Sequence, residues 1–386
     1  LLLNIYIFIV VVLTVIYVAI VLRYVEGWRA LPYFNSEKKS ENNTTLSVLI
    51  PARNEEKNIS QTLQTVFAQN YPTHLFEVIV IDDHSTDNTA TIVEQFIQQY
   101  SNIRLIRLAE YDLNDTQSFK KKALEIAIQK SNYQLIVTTD ADCIMNKNWL
   151  SLIADYYEKY KPAFIAAPVI FYDEKNTFQR FQSLDFVGMM GVNGAGIFRK
   201  FQYLCNGANL AYEREAFYEV DGFEGVDKLA SGDDLMLIQK MAKCYPNRIA
   251  FLKNVAAATR TTPKRSLRDF MSQRIRWATK TTHYPDLRVT LTWALIWLFC
   301  VSIPTSFLLS IFFGKIMLWI GLGQLLIKAL VDYVFLNSVA TALERKDLVA
   351  MRVYLPSIFL ELLYIIVIGT LGNIIKNYEW KGRKVR

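Results

Sequence analysis

The chain has 386 residues, 52% of them apolar and 20% charged, with a mean hydropathy of +0.15 and a net charge of +7. This apolar content excludes intrinsic disorder. The four cysteines, far apart and without a CxxC, show neither a disulfide framework nor a zinc site and suit a reducing compartment. The low charge fraction points to a membrane-attached chain, and the length allows two or three domains.

Residues 1–22 carry no charged side chain and are rich in Ile, Val and Leu. As a helix they span about 33 Å, enough for a hydrocarbon core of about 30 Å. A cleaved signal peptide would have a positive start, a shorter apolar core and a small-residue cleavage site, and the segment shows none of these. Arg23, Arg29, Lys38 and Lys39 follow it while nothing basic precedes it, so the positive-inside rule puts residue 23 onward in the cytoplasm. Residues 23–45 read as a linker.

Residues 23–288 form a polar block long enough for a sizeable core, and its front half alternates β-branched runs with helical patterns. Residues 46–50 predict a strand, then Ile59, Leu63, Val66 and Phe67 line one helix face. Residues 77–81 predict the next strand, and Ser85-Thr86-Asp87 supplies an N-cap before Ile92, Val93, Phe96 and Ile97. A strand at 103–108, a helix from Phe119 and a strand at 134–138 follow. This β-α-β-α-β-α-β order implies an α/β fold with a parallel, doubly wound sheet, whose ligands sit beyond the carboxyl ends of the strands.

Carboxylates sit at those ends: Asp82 and Asp83 after the second strand, Asp140-Ala141-Asp142 after the fourth. One such Asp is as often a turn or cap residue as a functional one. Several on one sheet edge are harder to explain that way, and an Asp-x-Asp pair presents hard oxygens to Mg²⁺ or Mn²⁺, which bridges phosphates. This points to a nucleotide diphosphate. Walker-type GxxxxGK[ST] is missing. Gly191-Val192-Asn193-Gly194-Ala195-Gly196 is not GxGxxG and reads as a loop or interfacial segment, so Rossmann-type binding is not expected. Gly232-Asp233-Asp234 precedes a helix at 235–243 and suits either a cap or a reactive pair. Residues 266–280 predict a helix with Leu267, Phe270 and Met271 on its apolar side. His74, His84 and His283 lack ligand spacing and read as surface or structural.

Three more apolar segments follow, at 289–313 (with Pro304 as a kink), 316–336 and 353–375. Lys328 and Asp332 in the second are four apart and neutralise each other on one helix face; the third contains Glu361. The tail carries Lys376, Lys381, Arg383, Lys384 and Arg386 against Glu379. It follows directly on an apolar stretch, so the basic charge reads as a membrane-surface feature and not a nucleic-acid one. Three full crossings would place this tail outside, against the positive-inside rule, so one segment is expected to be re-entrant or interfacial.

Taken in order, Pro51-Ala52-Arg53-Asn54-Glu55-Glu56, Ile81-Asp82-Asp83-His84-Ser85-Thr86-Asp87, Asp140-Ala141-Asp142, Gly232-Asp233-Asp234 and Gln273-Arg274-Ile275-Arg276-Trp277 resemble a membrane-integrated family-2 glycosyltransferase with a GT-A fold. That group includes cellulose, hyaluronan and chitin synthases and ceramide glucosyltransferases. The resemblance covers about residues 46–280. It implies a transmembrane helix at 1–22, a linker at 23–45, a cytoplasmic catalytic domain at 46–288, C-terminal transmembrane segments at 289–375 and a basic tail at 376–386.

By that resemblance Pro51, Arg53, Glu55, Asp82 and Asp83 hold the nucleotide. Lys120 or Lys121, where Phe119 replaces the family's usual glycine, reaches the phosphates; a solvated charge run opening a helix is the bland alternative. Asp140 and Asp142 resemble the metal pair for Mn²⁺ or Mg²⁺. Asp234 resembles the catalytic base, with Asp233 beside it raising its proton affinity. Gln273 belongs to the same motif, Arg276 pairs with the diphosphate leaving group, and Trp277 floors the acceptor; an interfacial helix enriched in Arg and Trp is the competing account. Asn206 and Gly207 resemble the acceptor side, and residues 178–186 an interfacial helix beneath the site.

The implied activity is inverting transfer from a nucleotide-diphosphate sugar, UDP-linked in the leading version, to a membrane lipid, in a bacterial inner membrane. The tail Trp380-Lys381-Gly382-Arg383 also resembles that of ceramide glucosyltransferases. A processive polysaccharide synthase is the alternative; it needs a water-lined channel, which four apolar segments supply only with an oligomer or partner. A transporter or a catalytically dead sugar-nucleotide sensor would release no nucleotide from the donor. No nucleic-acid partner is expected.

Overall fold

The computed structural model describes residues 1–36, 43–111, 118–225, 232–278, 286–374, 378–380 and 383–385. Lys38, Lys39, the last two residues of the helix predicted at 266–280, His283, and Lys376, Lys381 and Arg386 lie outside these. The chain divides into two compact units: one of residues Pro32–Asp173, Tyr203–Pro263 and Asn377–Arg386, the other of Leu1–Leu31, Glu174–Gln202 and Lys264–Lys376.

The first unit is α/β. In chain order it contains β1 (Leu46–Ala52), α2 (Ile59–Phe67), β2 (Phe76–Asp82), α3 (Thr89–Gln99), β3 (Ile103–Arg107), α4 (Phe119–Lys130), β4 (Leu135–Thr138), β5 (Ile144–Met145), α5 (Trp149–Tyr160), β6 (Phe164–Ala166), β7 (Val169–Phe171), β8 (Leu210–Glu213), α7 (Arg214–Glu219), α8 (Asp233–Cys244), β9 (Ile249–Phe251) and β10 (Thr259–Thr261). A seven-stranded sheet runs β3-β2-β1-β4-β8-β6-β9, and β5-β10-β7 form a small second sheet. The first four strands are parallel, while β8 runs antiparallel between β4 and β6. Val48–Ile50, Val78–Ile81 and Leu135–Val137 are fully buried, the continuous apolar runs of strands covered on both faces. Register sets Ala52 opposite Asp82 and Leu49 opposite Thr138, so β1, β2 and β4 deliver their carboxyl ends to one edge.

Two local expectations change here. The N-cap of α3 is Asn88, while Asp87 accepts the Thr89 N–H at 3.0 Å. Ile97 faces outward at the end of α3; Thr89, Val93 and Phe96 form its buried stripe.

The second unit is helical: α1 (Leu2–Ala30), α6 (Thr177–Phe198), α9 (Leu267–Ala278), α10 (Leu287–Phe313), α11 (Lys315–Ala342) and α12 (Met351–Ile374). Among the described residues four helices are long and apolar enough to cross a membrane: α1, α10, α11 and Met351–Gly372 of α12. The first helix continues past residue 22 to Ala30, because Arg23, Glu26 and Arg29 interrupt hydropathy without breaking a helix. The expected linker at 23–45 therefore begins as helix.

The Gly191–Gly196 run is helix, not loop. It lies inside α6, where close packing supplies what glycine lacks in propensity. A Cβ on Gly191 would lie 2.4 Å from Val339 Cγ2, and one on Gly194 2.7 Å from Trp28 Cζ3. The buried face of α9 is also shifted: Phe270 and Arg274 are buried while Leu267 is exposed. Within the bundle Lys328 contacts Asp332 at 2.5 Å, Glu361 at 3.2 Å and the Tyr17 hydroxyl at 3.3 Å. The Tyr17 hydroxyl in turn donates to Asp332 at 2.6 Å. The expected pair is thus a four-residue network across three helices.

Candidate active site

The loops after β1 and β2 are stitched together. Arg53 donates to the Asp83 carbonyl at 2.7 Å, and its guanidinium lies 3.9 Å from the Asp83 carboxylate. Asn54 takes a positive φ of 51° so that its N–H reaches Ser85 and its side chain accepts the Thr86 N–H. Glu55 and Glu56 donate their N–H groups to Thr89 and Asp87. Asp82 and Asp83 are buried at this junction, and Pro51 is half-buried in β1 between buried Ile50 and Ala52. His84, read from the sequence as surface or structural, places Nδ1 3.0 Å from Asp83 Oδ1 and meets Phe119 edge-on at 5.8 Å. The aromatic that stands in the usual glycine position thereby becomes part of the site wall. Nothing in the spacing announces that contact, which is made across the sheet edge.

A second cluster centres on Lys120 at the start of α4. Its ammonium lies 2.9 Å from Asp140 Oδ1 and 3.6 Å from Asp233 Oδ2. Burial opposes its charge, yet Asp140, Asp233 and Asp234 outweigh burial and hold the lysine above its ordinary range. Lys121, the other candidate, is buried in α4. Gly232, at φ +88°, caps α8, so Asp233 and Asp234 occupy the first turn, where the helix dipole favours carboxylates. Asp234 Oδ2 accepts the Gly207 N–H at 2.9 Å, the Thr138 hydroxyl donates to the Gly207 carbonyl at 3.1 Å, and Cys205 Sγ donates to the Asp234 carbonyl at 3.4 Å. Asn206 closes the turn by accepting the Ala208 N–H. The fold therefore joins the Asn206-Gly207 segment, Asp233-Asp234, Lys120 and Asp140, which are widely separated in sequence.

Asp140 and Asp142 are both half-exposed on the turn after β4. Beneath them Cys143 is fully buried; burial first, then Asp142 and Asp140, push its thiol up, so it is a neutral floor and not a thiolate ligand. Among the described residues no three His, Cys, Asp or Glu side chains form a metal cage. Two accessible carboxylates without a cage fit Mg²⁺ or Mn²⁺, which keeps open positions for phosphate and water.

Gln273, Arg276 and Trp277 lie on α9, in the helical unit. Trp277 stacks on Phe186 of α6 at 6.0 Å and faces the Arg274 guanidinium at 4.6 Å. Arg274, which carried no role in the sequence reading, is buried and pairs with Asp185 at 2.7 Å. Burial raises the Asp185 carboxyl, and Arg274 acts against that.

Comparison with known proteins matches residues 47–220 to the family described as glycosyl transferase family 2, and residues 135–368, more than half the chain, to glycosyl transferase family group 2. Among curated relatives, glycosyltransferase AglE of Haloferax volcanii is 33% identical over 105 residues, covering 27% of this chain and 33% of its own. The beta-monoglucosyldiacylglycerol synthase of Synechocystis is 28% identical over 110 residues, covering 28% of this chain and 22% of its own. The chain thus spans a third or less of the length of these two relatives. A solved mannosyltransferase from Pyrobaculum calidifontis, in complex with GDP-Man and Mn²⁺, superposes with a TM-score of 0.55 at 19% identity, over 92% of this chain and 98% of that one. The likeness shows a shared GT-A fold.

Proposed function

The chain belongs to glycosyl transferase family group 2, and from that premise we propose that it is a membrane-integrated, metal-dependent inverting glycosyltransferase acting on a lipid. It takes a sugar from a nucleotide-diphosphate donor, UDP-linked in the leading version, and its α/β unit faces the cytoplasm of a bacterial inner membrane. The observation that carries the reading is the Lys120 cluster, which sets a cation among Asp140, Asp233 and Asp234 at the sheet edge. The four long apolar helices support the membrane part. The relative named for a glucosyldiacylglycerol product lends support to a lipid acceptor.

The residue roles follow from chemistry. The stitched loops with Pro51, Arg53, Glu55, Asp82 and Asp83 hold the nucleoside. Asp140 and Asp142 would hold Mn²⁺ or Mg²⁺, which when bound neutralises diphosphate charge. Lys120 is the nearest fixed cation for the phosphates. Asp234, oriented by the Gly207 N–H, takes the proton of the acceptor hydroxyl as that oxygen bonds the anomeric carbon. The bond from that carbon to the diphosphate breaks, and the nucleoside diphosphate leaves toward fixed positive charge, the role read for Arg276. Asn206, Gly207, Gln273 and Trp277 serve the acceptor side.

The test is purified full chain in lipid nanodiscs, incubated with a panel of UDP- and GDP-sugars, Mn²⁺ and total membrane lipid, read by mass spectrometry. The expected product is an organic-extractable glycolipid carrying one or very few sugars. High-molecular-weight, glycosidase-sensitive polymer would replace the lipid reading with processive synthesis. Absence of nucleotide release from every donor would refute both.

A further inference from the structure

We infer that α12, although long and apolar enough to span a bilayer, does not cross it but lies along one leaflet with a single apolar face in the lipid. The inference rests on reading α1, α10 and α11 as membrane-spanning, and it follows from where the two ends of α12 are fastened. Just before the helix, Arg345 pairs with Glu174 at 2.8 Å, and Glu174 also accepts from Ser183 of α6 at 2.5 Å. Near its other end, a Cβ on Gly372 would lie 2.5 Å from Ala278 Cβ, the last residue of α9. Between Glu174 and Ala278 no described helix is long and apolar enough to cross. Both anchors therefore sit on one side of the membrane, and a helix fastened to both has not left that side.

The route between the anchors agrees. Tyr364 packs on Phe270 at 5.6 Å, and the Gly372–Ala278 contact is displaced by eight residues in the same direction along both helices. α12 thus runs parallel to α9 for two turns. α9 carries Arg268, Asp269, Arg274 and Arg276, which exclude it from the hydrocarbon core. Phe181 of α6 touches both Phe270 and Tyr364, tying the three helices into one layer.

The exposure pattern identifies the partner. Met351, Leu355, Phe359, Leu363 and Val367, spaced by four, are 39–61% exposed, whereas Val353, Tyr354, Ser357, Ile358 and Leu362 are buried. One stripe is left bare over almost the whole helix, and it is apolar. An open apolar stripe of this length is covered by acyl chains. Continuity with the long apolar helices α10 and α11 makes the occupant a lipid leaflet. Chain parity then closes: α10 leaves, the turn at Gly314 sends α11 back, and with α12 not crossing, the chain after it stays on the side from which α10 set out, as the positive-inside rule requires of its basic residues.

Two measurements on the full chain in native membranes test this. With native Cys244 marking the α/β unit, single cysteines Lys346→Cys, Lys384→Cys and Lys315→Cys are introduced in a Cys244→Ser background and probed with an impermeant thiol reagent. Lys346→Cys and Lys384→Cys are expected to share the side of Cys244, with Lys315→Cys opposite. Lys384→Cys on the side of Lys315→Cys overturns the inference. Release of the protein by alkaline carbonate, or Lys315→Cys on the side of Cys244, overturns the membrane reading itself and is distinguishable from that result. Spin labels at Leu355, Phe359, Leu363 and Val367 are expected at one depth, within about 5 Å; a crossing helix would spread them over about 18 Å, and that spread refutes the inference.

Discussion

Replacing Asp234 by Asn separates chemistry from architecture. The carboxylate accepts two N–H groups, from Gly207 at 2.9 Å and from Leu235 at 2.8 Å. The amide has one carbonyl oxygen, so it keeps one of these bonds and turns an NH₂ toward the other. One lost hydrogen bond at a half-buried site costs about 1 kcal/mol, and removing a negative charge from the first turn of α8 costs about 0.3–1 kcal/mol more. The fold is expected to survive with a modestly lower unfolding midpoint. Loss of a general base costs about 10²–10⁴-fold in rate, or about 3–5.5 kcal/mol of barrier. Nucleotide affinity should stay within a few-fold of wild type, because the nucleoside loops are untouched. The assay pairs single-turnover nucleotide release with calorimetry using UDP and GDP. An Asp234→Asn enzyme within threefold of wild-type turnover refutes the assignment. A dead Asp233→Asn beside an active Asp234→Asn transfers the role to Asp233.

Asp142→Asn is expected to abolish the metal-stimulated part of donor binding; calorimetry showing undiminished Mn²⁺-dependent nucleotide affinity contradicts the metal assignment. Lys120→Met should weaken nucleoside-diphosphate binding about 10–100-fold, the worth of a charge-assisted hydrogen bond, and unchanged affinity would remove the lysine from the phosphate site. Because Asp140 and Asp233 raise Lys120 above its ordinary value of 10.5, its stabilising contribution is complete below that value and fades only as pH climbs through the higher folded value. The difference in unfolding midpoint between wild type and Lys120→Met, followed by scanning fluorimetry, should stay flat from about pH 6 to 9. Gly191→Ala should lower stability by about 1–3 kcal/mol, since the new methyl must push Val339 and Phe335 aside; an unchanged midpoint would show that α6 and α11 part freely.

The first half of the α/β unit was legible because β1, β2 and β4 carry continuous apolar runs and the helices between them amphipathic stripes, signals that live within a dozen residues. The boundaries at Leu46, Phe119 and Thr138 follow directly from them. β8 was not legible: Leu210–Glu213 is four residues without alternation, and its place between β4 and β6 is decided by pairing with distant segments. The glycines of α6 were misread because local propensity counts against them, whereas the fold uses their lack of a side chain to bring helices together. Lys120 was singled out only through its motif. Its partnership with Asp233 joins α4 to α8 and has no periodic trace.

The network around Lys328 bears on how the molecule is made. Tyr17 and Asp332 are 315 residues apart, and a ribosome adding about 5–20 residues per second needs about 15–60 s to pass from one to the other. Throughout that interval α1 is already synthesised while every charged partner of its tyrosine is still missing. The α/β domain has time to fold before the bundle can close, since the closing charges arrive on α11 and α12. The bundle therefore closes on an electrostatic latch: until Lys328 reaches Asp332, Glu361 and Tyr17, the first helix is held by its apolar packing and by contacts such as Tyr6 with Ser306 and Glu26 with Arg199, and a ribosome that stalls after α10 leaves a protein with a finished sheet and an unlatched first helix.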